Sequence, residues 1–468
     1  MAHQEDIALM AHLMRRAGFG AGRDEIETRL DKGYKATVEE LLAYEARPPV
    51  DTYTLLRHQP ASLLPGGVPP MGNVHYMYHL VTTQRPLQEK MALFWHHVLA
   101  TGNSKVDNYD QLLEQIELFR EHGMGNYRDL LMTLAKNPTM IFWLDNNQNH
   151  GTAVNENWGR ELLELFSLGV GHYTEKDVRE ASRAFTGWTF ATKVPRLPYG
   201  RFPWKFEYRP EDHDDGVKTF LGHTGNLNGD DIIDIILKQP ACATFICRHL
   251  YNFFVADEPQ VPAWSIEPPR DPATVAMLAD TLRKNNYEMK PVLRALFNSE
   301  AFKKARYTHL KSPAEVVVGT LRVMGGYELP KPGYGELSMQ PAYMGQDLLN
   351  PPSVEGWHTG SEWINSGSLM ARINFVAEQV GNTNLPGFQA IVKRLEKMGV
   401  IEPEQLVDTC LDLLGPIQVE TDTRKVLEEQ AKQWGRLSFD TPAHREASEK
   451  RTSELLQLIV ATREYQFA

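Results

Sequence analysis

NENWGRELLELFSLGVGHYTEKDVREASRAFTGW, residues Asn155 to Trp188, reads as two amphipathic helices joined at a glycine-rich turn. At 100° per residue, Glu156, Asn157, Arg160, Glu161 and Glu164 fall within one arc of about 140°, and Trp158, Leu162, Leu163, Leu165 and Phe166 take the opposite side. One face is core and the other is charged. Glu156 to Arg160 and Arg160 to Glu164 are each four residues apart, a spacing that also suits an ordinary solvated helix surface. Gly169 and Gly171 end the first helix, and Thr174 with Asp177 forms the pattern of a capping box for the second. Val178, Ala181 and Phe185 give that second helix its apolar line.

Working outward, the same helical period returns almost everywhere. Helices are expected over Asp6 to Arg16, Val74 to Leu99 with a start near Pro86, Tyr109 to His122, Tyr127 to Lys136 and Pro138 to Leu144. Leu87, Met91, Phe94 and Val98 mark a core helix that delivers His96 and His97 at its end. The stretch from Arg47 to Asn73 reads as a loop from its prolines and glycines. Between about 190 and 222 the pattern changes: Phe202, Trp204, Phe206 and Tyr208 alternate, and Val217 to Leu221 follows across Asp214-Asp215-Gly216. An inserted β-hairpin is expected there. Residues 325 to 367 read as a long packed loop of the kind that usually carries function.

These patterns predict a mainly α protein, a large multi-helix orthogonal bundle with a small β-hairpin insertion. The main domain is expected to run over 1–385, with a helical segment, 386–468, packed on it. A chain of 468 residues, 42% hydrophobic and 23% charged, can bury a sizeable core. Its net charge of -11 and lack of a basic cluster exclude a general nucleic-acid binder. Three cysteines, Cys242, Cys247 and Cys410, supply neither a disulfide framework nor a CxxC pair. No window reaches the about 18 apolar residues of a membrane span, and the opening residues show no secretory pattern, so a cytoplasmic protein is expected.

Three groups of residues have the chemistry for a site. Glu156, Arg160, Glu161 and Glu164 can do acid-base work if the face is covered, because burial shifts a carboxyl toward neutrality. The histidines are the second group, chiefly His96 and His97 at a helix end, His172 at the turn, His213 before two aspartates, His249 and His358. No HExxH or comparable ligand set accompanies them. His249 reads as a core histidine. The third is the amide-rich run from Leu144 to Asn157, where Asp145, Asn146 and Asn155 can cap a helix or bind hydroxyls or a cation. Trp188, Trp204, Trp357 and Trp363 can line a sugar platform or serve as core. Walker, dinucleotide and GxSxG patterns are lacking.

FWHH from Phe94, LDN from Leu144, NENWGRELLELFSLG from Asn155, YTEKDVREASRAFTGW from Tyr173, HDDGVKTFLG from His213 and MGQDLLNPP from Met344 with a following GW together resemble a bacterial family called domain of unknown function 1800. The similarity runs from GFG at Phe19 to REYQF near the end. It implies no settled activity. What it implies is weight on His96, Asp145, Asn146, Asn155, Glu156, Asn157, Arg160, Glu161, Glu164, Trp188, His213, Asp214, Lys218, Gln346 and Trp357, which match motif positions. Members usually read His-Asn-His after Phe-Trp, whereas here His97 and Val98 stand second and third, so a two-histidine metal site does not carry over. Members often carry export signals and are often encoded beside sulfatase-like proteins, which implies such a partner.

The leading expectation is a hydrolase of a saccharide or other polar substrate. Glu161 or Glu164 would be the acid-base group, and His96 and His213 would move protons or hold a divalent metal. Arg160, Asn155, Asn157, Glu156, Asp145, Asn146, Lys218, Trp188, Gln346 and Trp357 would bind substrate. Two other readings stay open: a scaffold for the sulfatase-like partner, and a metal-dependent oxidation enzyme.

Overall fold

The computed structural model describes residues 2–58, 71–191 and 204–468. Part of the loop expected over Arg47 to Asn73, and Phe202 of the expected hairpin, lie outside the described residues. Twenty-four α-helices stand against four strands of three or four residues among those described, so the fold is mainly α. None of these helices is long and apolar enough to cross a membrane.

The Pro86–Val98 helix runs through the core. Its first turn carries Pro86 where no intrahelical N–H is needed, and every residue except His97 is buried. A helix buried all round must also bury its polar positions, and these are paired: Arg120 donates to both oxygens of Glu89 at 2.9 and 3.0 Å, and Lys90 reaches Glu315 at 2.5 Å. Tyr109–His122 packs along it. Met71–Thr82 packs against Pro313–Met324, which in turn carries Ser366–Gly381 and, beyond it, Pro442–Val460. One continuous apolar core runs from Ile7 to Val460. The chain's last residues return to its middle, where the Lys311 N–H donates to the Gln466 carbonyl and the Ala468 N–H to that of His309, both at 2.9 Å.

The β insertion is paired differently from the simple hairpin expected across Asp214-Asp215-Gly216. Lys205–Tyr208 pairs antiparallel with Trp188–Ala191, and Lys218–Phe220 forms its own hairpin with His223–Gly225. Leu221 and Gly222, both at positive φ, make the two-residue turn of that second hairpin, a geometry that matches strand twist. It hangs from the Glu175–Ala184 helix, whose Glu180 and Asp177 accept from the N–H groups of Thr219 and Leu221. The expected long loop over 325–367 contains the Tyr334–Tyr343 helix, with Tyr334, Ser338 and Pro341 buried.

Candidate functional site

Asn155 starts the first helix of the central pair: its Oδ1 accepts from the Asn157 N–H at 3.0 Å, and helix Asn157–Glu164 follows with Trp158, Leu162 and Leu163 buried. A Cβ on Gly159 would lie 2.2 Å from Ser182 Oγ, so glycine permits the close crossing with Glu175–Ala184. The expected Thr174–Asp177 capping box is present. Packed this way, the pair turns Arg160, Glu161 and Glu164 away from the core.

Their environments differ sharply. Arg160 donates to both oxygens of Glu175, at 2.8 and 2.7 Å, and lies 3.5 Å from Glu156. Glu164 Oε2 accepts from the Tyr173 hydroxyl at 3.0 Å. Among the described residues Glu161 has no ion-pair partner. Burial pushes its carboxyl up to about 7, the neighbouring Glu164 and Glu355 add to the rise, and Arg160 opposes it. At Glu164 opens a cleft of about 830 Å³, lined among others by Glu355, His172, Phe245, Arg248 and Trp264; Glu161 lies one helical turn back and is not part of this lining. Arg248 is already committed to buried Glu258 at 2.7 Å, and its guanidinium stacks over Trp264 at 4.4 Å.

The other residues singled out from sequence divide into two groups, neither of which lines this cleft or shares a hydrogen bond or ion pair with Glu161 or Glu164. Asn146 donates to the carbonyls of Phe185 and Trp188 at 3.2 and 2.8 Å, stapling the amide-rich turn to the end of the second helix. Asp145 pairs with Lys105 at 2.7 Å, and Asn157 reaches its other oxygen at 3.4 Å. Trp188 is buried between Phe185 and Phe206 and donates to Asn228 at 2.9 Å. His213 Nδ1 donates to the Thr186 carbonyl at 2.8 Å, Arg183 forks onto Asp214, and fully buried Lys218 donates to the carbonyls of Asp214 and Gly216. This first group holds the turns around the central pair in place.

The second group lies inside the molecule. His96 is fully buried, its Nε2 donates to the Leu348 carbonyl at 2.9 Å, and burial pushes it down to about 3. Gln346 Oε1 accepts from the Ala314 N–H at 2.9 Å. Trp357 stacks on His97, with ring planes 7° apart, and its backbone N–H donates to His97 Nδ1 at 3.2 Å.

A model of the family described as "Protein of unknown function (DUF1800)" matches residues 12–467. The chain belongs to the DUF1800 family. Neither the curated proteins nor the solved structures contain a match to it.

In this DUF1800 protein the densest buried charge comes from residues to which the sequence drew no attention. Glu315 is held by Arg16 at 2.8 Å and Lys90 at 2.5 Å, and His309 lies 3.6 Å from Glu315 and 2.7 Å from Asp257. Ser312 and Glu315 do form a capping box legible as SPAE, but the cations come from residues 225 and 299 positions earlier. His249 is buried as expected, yet its Nε2 has no partner among the described residues. Among the described residues, no three of the His, Cys, Asp and Glu side chains are gathered so as to hold a metal ion.

Proposed function

We propose that the cleft lined by Glu164, with Glu161 one helical turn away on the same helix, is the active site of a hydrolase acting on a saccharide or similarly polar substrate. The observation that carries this reading is the contrast between two carboxyls one helical turn apart: Glu161 is desolvated and unpaired, and Glu164 is fixed by the Tyr173 hydroxyl at 3.0 Å. Two carboxyl groups in unlike environments can divide the roles of acid and base. Glu161 gives its proton to the leaving oxygen. Glu164 takes a proton from water, whose oxygen forms the new bond to the carbon losing that group. Trp264 and Phe245 offer apolar faces on which a sugar ring can stack.

The test is release of reducing ends from a panel of chromogenic glycosides and polysaccharides by wild type, Glu161→Gln and Glu164→Gln. The reading expects hydrolysis by the wild type that declines as pH rises past about 7, where Glu161 loses its proton. Glu161→Gln should lose on the order of 100-fold or more in kcat while keeping its circular dichroism spectrum. A wild type inactive on the whole panel, or a Gln variant as fast as the wild type, would sink it.

A second reading rests on Val170 and Ile266, which line the same cleft and are exposed. Apolar groups on a rim favour docking of a protein, here the sulfatase-like partner that the family resemblance implies. A stable complex on co-purification, lost in a Val170→Asp/Ile266→Asp double variant, would support the scaffold.

A further inference from the structure

Behind the wall of the cleft lies a second, smaller chamber of about 30 Å³, separated from it where His249 packs on Trp264 with ring centroids 4.5 Å apart. On that scale a water needs about 10–15 Å³, so the chamber has room for two or three water-sized groups. Exposed His358 is among its lining residues.

Four polar groups of the chamber's lining share one pattern of hydrogen bonding, and His249, kept neutral by burial, adds a ring whose Nε2 has no partner among the described residues. Asn252 Oδ1 accepts from the Glu258 N–H at 2.8 Å, Gln346 Oε1 from the Ala314 N–H at 2.9 Å, and His97 Nδ1 from the Trp357 N–H at 3.2 Å. Ser312 Oγ accepts from the Glu315 N–H at 3.3 Å. In each case a backbone donor has claimed the acceptor atom and so fixed the orientation of the group. An amide whose oxygen faces an N–H turns its NH2 the other way, and an imidazole accepting at Nδ1 carries its proton on Nε2. The remaining donors are the NH2 groups of Asn252 and Gln346, the His97 Nε2–H and the Ser312 O–H. None of the four has an acceptor among the described residues. Asn252 and Gln346 are more than nine-tenths buried. The one carboxylate on the lining, Glu315, is already engaged by Arg16, Lys90 and the Ser312 N–H.

These four groups line one small space, and their donors are left to solvent or to a ligand there, so the space is complementary to a ligand that is all acceptor. We propose that this chamber binds a small carboxylate, whose two oxygens accept from His97, Asn252, Ser312 and Gln346. The assignment is independent of the proposed hydrolase, because Glu161, Glu164, Phe245 and Trp264, which that reaction uses, do not line the chamber.

The probe is sodium formate or acetate, titrated against sodium chloride at equal ionic strength and followed by the fluorescence of Trp357 and Trp363, which both line the chamber. The expected result is a saturable change with a dissociation constant in the millimolar range that chloride does not produce. Asn252→Asp and Gln346→Glu keep the oxygen that accepts the backbone N–H and replace the free donor with a negative acceptor. Each should bind formate at least tenfold more weakly with an unchanged circular dichroism spectrum. No saturable change in the wild type, or equal affinity in both folded variants, overturns the proposal. Should the variants fail to fold, the wild type still decides it: the formate proton should show a nuclear Overhauser effect to ring protons of His97 and Trp357, and its absence overturns the site.

Discussion

Arg160 is held by Glu175 through two hydrogen bonds of 2.8 and 2.7 Å, so the guanidinium next to Glu161 in the chain is spent on a residue of the following helix. That arrangement keeps Glu161 without an ion pair and lets burial dominate its carboxyl. Glu175→Gln should release Arg160 toward its remaining carboxylates, Glu161 among them, and lower the Glu161 pKa from about 7. The shift can be read by a 13C carboxyl titration. An unchanged pKa would mean that the freed Arg160 settles on Glu156, already 3.5 Å away.

The same carboxyl makes a prediction about stability. Its folded pKa of about 7 lies above the unfolded value of about 4.3, so between these pH values the folded chain binds the proton more tightly than the unfolded one. Wild-type stability contributed by this group therefore falls as pH rises through that window and stays low above it. Glu161→Gln removes the penalty. Discounted for the partial exposure of the side chain, the variant should be roughly 1–2 kcal/mol more stable than the wild type at pH 8, with no difference below about pH 4. Urea denaturation at the two pH values checks this. A stabilising substitution that removes activity is the signature of a residue kept for function.

Glu315 should behave in the opposite sense. Arg16 and Lys90 hold its carboxyl well below the usual carboxylate range against the desolvation that opposes them, and both cations are fully buried. Its contribution is fully present above the unfolded pKa, near 4.3, and is lost as pH falls below that toward the folded value. Glu315→Gln leaves two buried cations with no counter-charge, which should cost on the order of 3–5 kcal/mol at pH 7. The loss should narrow as the solution is taken below pH 4, where the unfolded wild type takes up a proton that the folded carboxylate does not. Urea midpoints at pH 7 and pH 3 measure both.

These three carboxyls show what sequence can and cannot reveal. Glu161 and Glu164 were legible because a helix puts residues three apart on one face, and the capping box from Thr174 and the glycine stop were equally local. The helical class followed from the same period repeated along the chain. Glu315 was hidden because its partners are assembled by tertiary packing, with no local spacing to announce them. Lys218 looked like a ligand-binding residue; its ammonium instead caps two carbonyls of its own turn. The hairpin pairing was illegible because three- and four-residue strands carry too few alternating positions to choose a partner, and Leu221-Gly222 does not look like a favoured turn pair.

Gly356 tests whether the chamber is built by the turn that precedes Trp357. Its φ is +91°, and a Cβ there would lie 2.2 Å from the His97 carbonyl oxygen and 2.6 Å from His97 Nδ1. Alanine therefore meets both left-handed strain and backbone that cannot give way, and the turn must lift off the Pro86–Val98 helix. Gly399 provides the control: its φ is +78°, and nothing lies within 4 Å of the added carbon. Gly399→Ala should show the conformational term alone, roughly 1–2 kcal/mol. Gly356→Ala should cost more than that and should also break the hydrogen bond from the Trp357 N–H to His97 Nδ1, freeing the ring to change tautomer. Urea denaturation measures the first effect, and loss of the formate-dependent fluorescence change measures the second. Equal destabilisation by the two substitutions would mean that the turn yields without disturbing His97, and the ring would then not owe its orientation to this contact.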